Sequence, residues 1–163
     1  MKEIIMRSLT TLLAAATLGF SALAPAHTDE ELEKRVSPNG GQLRMTSEYH
    51  LELVLVRNSA EAKENPVVVY VTDHADQKID TKGASGTVTL LGKSGKATVA
   101  LKPDGENRLR GVGRYASEAD IKAVVAVTMA GKKTEQARFT PLAKPAPATA
   151  ATKPGAAQAP HKH

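Results

Sequence analysis

Between Gln42 and Thr140 the chain is a succession of short, β-branched runs, each closed by turn-forming residues, and this punctuation restricts the fold more than any other feature. The runs cover residues 42–46, 49–57, 67–72, 86–91, 96–102, 108–115, 123–130 and 134–140. The intervals between them are rich in Gly, Pro, Asn, Asp and Ser, whose backbone preferences and short polar side chains make turns. Eight short strands at this spacing predict an all-β fold in which antiparallel strands pack as a sandwich.

Side-chain alternation assigns faces within that fold. In the second run Tyr49, Leu51, Leu53 and Leu55 share one face, and His50, Glu52, Val54 and Val56 share the other. The leucine face is the expected core side, which leaves His50 and Glu52 on an open sheet face. The seventh run, with Ala123, Val125, Val127 and Met129 against Val124, Ala126 and Thr128, is apolar on both faces and is expected to be central and covered on both sides. An immunoglobulin-like or cupredoxin-like sandwich satisfies these patterns.

The two ends read differently. Residues 1–26 have the form of a secretory signal peptide: Lys2 and Arg7 start it, an apolar run follows, and Ala24-Pro25-Ala26 offers a small-x-small cleavage site. Cleavage after Ala26 is favoured, because a cut after Ala24 would put the Pro25 ring against the scissile bond. The apolar run, residues 12–23, is shorter than the roughly 20 residues of a spanning helix, so the mature protein is expected in the periplasm without a membrane span. Residues 27–40 form a lead-in in which 28–36 predict a short helix capped by Thr28, with Glu30/Lys34 and Glu31/Arg35 one turn apart. The β domain is assigned to residues 41–140. Residues 141–163 hold five of the nine prolines and few large apolar side chains, the composition of a disordered tail.

Composition removes several classes of function. There is no cysteine, so thiolate metal sites, redox pairs and cysteine nucleophiles are excluded. The formal charge of +5 comes largely from the two ends, since residues 27–140 carry seventeen basic and sixteen acidic side chains. With that balance and 3% aromatic residues, nucleic acid is not an expected partner. Gly92-Lys93-Ser94 lacks both the spacing and the following helix of a phosphate-binding loop, and Ser94 lacks the spacing of a nucleophile elbow.

What remains is imidazole and carboxylate chemistry. His50 and Glu52 lie two apart on one strand face, about 6.6 Å along the chain, a span that one ion could bridge. Asp73-His74-Ala75-Asp76 sets an imidazole between two carboxylates after a strand, donors that suit Zn(II) or Cu(II). The aspartates in such a turn also serve as Asx caps of their own backbone. Met45 is either a packing residue or a thioether donor to Cu(I). His27, at the new N-terminus, would join an α-amine to an imidazole and so could chelate Cu(II). His161 and His163 form a looser pair on the tail.

The segments Gly40-Gly41, Glu48-Tyr49-His50-Leu51-Glu52-Leu53, Val69-Tyr70-Val71-Thr72-Asp73-His74, residues 80–88 and Asn107-Arg108-Leu109-Arg110-Gly111-Val112-Gly113 together resemble a family of small exported β domains. Those domains occur alone in bacterial heavy-metal resistance settings and are similar to a region of the periplasmic adaptor subunits of metal-efflux pumps. The resemblance spans residues 39–139 and implies metal handling, with His50 and His74 at the family's histidine positions. Members often open the domain with His-Gly-Gly, where this chain has Asn39-Gly40-Gly41.

The expectation is a non-enzymatic periplasmic protein that binds copper or another divalent heavy metal and assists efflux or buffering, with a pump adaptor as protein partner. His50 and His74 are the leading ligands, with Glu52, Asp73, Asp76 and His27 as further donors. The alternative is an interaction module of an envelope or efflux assembly with no specific metal site.

Overall fold

The computed structural model describes Leu32, Arg35 and residues 37–144, and within them the chain is all-β. Its strands are β1 (Gln42–Met45), β2 (His50–Leu55), β3 (Lys63–Thr72), β4 (Ser85–Gly92), β5 (Gly95–Pro103), β6 (Arg108–Tyr115), β7 (Lys122–Thr128) and β8 (Thr134–Phe139). Every ladder is antiparallel, in the order β1-β2-β3-β6-β5-β4-β7-β8. The sheet curls until the outer strands β1 and β8 approach each other. The leader, His27, the predicted helix over 28–36 apart from Leu32 and Arg35, and the tail from 145 onward lie outside the described residues.

One apolar cluster fills the curl. Leu51, Leu53 and Leu55 of β2 and Val67, Val69 and Val71 of β3 meet Val88 and Leu90 of β4, Val125 and Val127 of β7 and Phe139 of β8. The alternating leucines of β2 thus face the core, as period-two patterning requires. Where β6 crosses β5, Gly111 and Gly113 let the backbones close in: a Cβ at either would collide with Ala100 or Val99. Among the described residues no helix is long and apolar enough to cross a membrane.

Three expectations are corrected. Residues 63–66 belong to β3 and not to the preceding turn. Pro66 is accommodated there because β2 ends at Leu55, opposite Val67, so Pro66 has a ladder neighbour on the β6 side alone. β7 is interior to the sheet but is covered on one face only: Ala123, Val125 and Val127 are buried, whereas Lys122 and Val124 are exposed. Valine and alanine on that outer face follow strand preference without a second packing layer. Finally, the His50–Glu52 face is not open, since His50 is 1% and Glu52 3% exposed.

Candidate metal centre

His50 opens β2 on the face away from the core, opposite Met45 of β1 and Thr72 of β3 in the two adjoining ladders. His74 follows two residues after Thr72, in the turn that leaves β3, and its ring lies over that of His50 with centroids 5.1 Å apart and a 34° tilt. The turn is braced by Asp73, whose Oδ1 accepts the backbone N–H of Ala75 and of Gln77, both at 2.8 Å. Asp76 takes the left-handed conformation, φ 60°, the one non-glycine to do so among the described residues. Aspartate tolerates that region better than most residues, and the bend returns its carboxylate to His50.

Each imidazole has one nitrogen committed. His50 Nδ1 lies 3.2 Å from Asp76 Oδ1, and His74 Nε2 lies 3.2 Å from the carbonyl oxygen of Thr46. A carboxylate and a carbonyl can only accept, so both ring nitrogens donate, and the neutral tautomers carry their lone pairs on His50 Nε2 and His74 Nδ1. His50 Nε2 is buried and has no hydrogen-bond partner among the described residues.

The committed nitrogens match one feature of metal-ligating imidazoles. A ligating imidazole nearly always donates its second nitrogen to a carboxylate or carbonyl, which fixes the tautomer and the ring orientation; both rings do this. An ion about 2 Å from one nitrogen of each ring, at a near-tetrahedral angle, holds the centroids roughly 5 Å apart. His50 and His74 would hold the ion, and Asp76 would orient His50. Among the described residues there is no group of three or more His, Asp and Glu able to hold one, so the two rings stand as a pair.

The carboxylates proposed as further donors have other duties. Glu52 Oε1 accepts the Ser37 hydroxyl and the backbone N–H of Asn39 and of Gly41, and its Oε2 accepts the Asn39 side-chain amide. It therefore ties the 37–41 turn across β2. Asn39-Gly40-Gly41 also has a backbone logic: Gly40 has φ 74°, and a Cβ on Gly41 would strike the carbonyl of Leu53. Asp73 serves as the Asx cap described above. Asp76 Oδ2 pairs with Arg35, a side chain that helical spacing alone would set beside Glu31. No spacing signal could have found this contact, because the two residues are 41 positions apart.

The Arg35 guanidinium, and then His50, hold the Asp76 carboxyl below its ordinary value against partial desolvation. The folded group has the lower pKa, so its contribution is present above the ordinary aspartate value and disappears as pH falls through the folded one. The stability difference between the parent protein and Asp76→Asn is accordingly expected at neutral pH and is expected to vanish in strong acid. Urea unfolding midpoints at the two pH values check this. Asp76 is half exposed, so the neutral-pH effect is small. The same variant is expected to weaken metal binding roughly tenfold through the loss of His50 orientation.

No known family, curated protein or solved structure matches the chain at a significant level.

Proposed function

We propose that the protein is a non-enzymatic, periplasmic binder of copper or another divalent heavy metal, which it buffers or passes to an efflux assembly. One observation carries this reading: two imidazoles, each with one nitrogen held by an oxygen acceptor, have ring centroids 5.1 Å apart, and one of them ends in a buried nitrogen without a partner among the described residues. The signal-peptide pattern of residues 1–26 supports export, and the resemblance noted above supports the efflux setting. Calorimetric titration of the purified protein with Zn(II) and Cu(II), beside the His50→Ala/His74→Ala variant, tests it. Binding by the parent protein and none by the variant is expected; equal heats from the two end the assignment.

A second reading, an interaction module of an envelope assembly, draws on the outer face of β4, β7 and β8. There Leu91 and Val124 are exposed beside Lys96, Lys122 and Arg138, around a shallow trough. Apolar area ringed by cations suits an acidic, partly apolar partner segment. Under this reading, metal tolerance of cells would be lost with Leu91→Asp/Val124→Asp and kept with the double histidine variant. The proposed function expects the reverse.

A further inference from the structure

We propose that the ion held at this site is Cu(I), and that Met45 supplies a thioether as the third donor beside His50 and His74. The inference rests on the metal-binding reading above and deepens it by naming the oxidation state and a ligand.

The argument begins with the donors that the fold has already used. Zn(II) is almost always four-coordinate, and Cu(II) prefers a tetragonal set of nitrogen and oxygen donors. Around His50 and His74 the oxygen donors are committed: Glu52 to Ser37, Asn39 and Gly41, Asp73 to Ala75 and Gln77, and Asp76 to Arg35 and His50 Nδ1. Detaching Glu52 to reach an ion would strand several donors in the 37–41 turn, which costs more than a typical hydrogen bond gains. Cu(I) needs no such set, because it is content with two or three soft or imidazole donors.

The soft donor is in register. Met45 pairs directly with His50 in the β1–β2 ladder, so the two side chains project from the same face, within the reach of directly opposed cross-strand neighbours. That face is opposite the one that packs the core: Leu51 and Leu53 are core residues, whereas Met45 is only partly buried and does not belong to the core cluster. A thioether on the cross-strand neighbour of an imidazole whose buried Nε2 has no hydrogen-bond partner among the described residues is a donor combination that selects Cu(I) over harder ions.

The test is an anaerobic titration of the purified protein with Cu(I), in competition with bathocuproine disulfonate, for the parent protein, Met45→Leu and His50→Ala/His74→Ala. Zn(II) titrations run in parallel, and X-ray absorption is measured on the Cu(I)-loaded parent. Leucine matches methionine in volume, and circular dichroism checks that the variant is folded. Met45→Leu is expected to weaken Cu(I) binding at least about tenfold while leaving Zn(II) affinity unchanged, and the parent is expected to show a sulfur scatterer at copper. Unchanged Cu(I) affinity in Met45→Leu, or the absence of sulfur from the copper shell, overturns the proposal even when the histidine variant has lost binding. Full binding by the histidine variant instead overturns the metal reading itself, and this proposal with it.

Discussion

Replacing His50 by leucine is expected to weaken metal binding at least about a hundredfold while leaving the metal-free protein no less stable than the parent. Ordinarily a substitution at a side chain 1% exposed is costly. Here the removed group carries its own penalty, because Nε2 lies buried with no partner among the described residues, a condition worth about 1–3 kcal/mol. Leucine has comparable bulk and nothing to desolvate. The partner left behind, Asp76, is half exposed and keeps Arg35, so its loss is minor. A gain of stability on removing a ligand is the usual sign of a residue retained for function at the expense of the fold. Metal titration and urea unfolding of the same variant decide the matter; a loss above about 2 kcal/mol would mark His50 as a structural histidine.

Glu52→Ala should do the opposite. A carboxylate 3% exposed accepts four hydrogen bonds from the 37–41 turn, and alanine takes the acceptor from all of them. At about 1–3 kcal/mol for each donor left without water or a partner, and with some donors regaining solvent, the expected loss is about 3–5 kcal/mol. Glu52→Gln keeps one acceptor oxygen, and the Asn39 amide can turn to meet the new NH2 group, so it should recover more than half of that. Neither variant should change the number of ions bound. Urea midpoints combined with titration stoichiometry check both statements. A Glu52→Ala protein of parental stability that binds no metal would show that the carboxylate is a ligand after all.

The strand pattern was legible because it is local. Leu51, Leu53 and Leu55 alternate with polar residues, and alternation alone assigns them to the core. The pairing of His50 with His74 rested on the resemblance to exported metal-resistance domains; their 5.1 Å approach depends on the return of β3 beside β2, which sets Thr72 against His50 and the following turn near it. The duties of the carboxylates were not legible. Glu52 and Asp76 are both acidic residues near a histidine, and nothing in their spacing shows that one ties a turn while the other orients an imidazole. The burial of the outer face of β2 was missed for a related reason: period two distinguishes two faces but does not say which later segment covers the second.

By itself the sequence determined the eight strands, the inward leucine face of β2 and the main turns, since each depends on the conformational preference of a few neighbouring residues and on the need to bury their apolar side chains. Tertiary structure alone decided that His50 is buried, that its Nδ1 faces Asp76 while its Nε2 has no hydrogen-bond partner among the described residues, and that Glu52 is occupied by the 37–41 turn. Those facts arise from contacts between residues 11 to 26 positions apart, and a hydrogen bond over such a separation is fixed by strand order and register, which one strand's own composition does not encode.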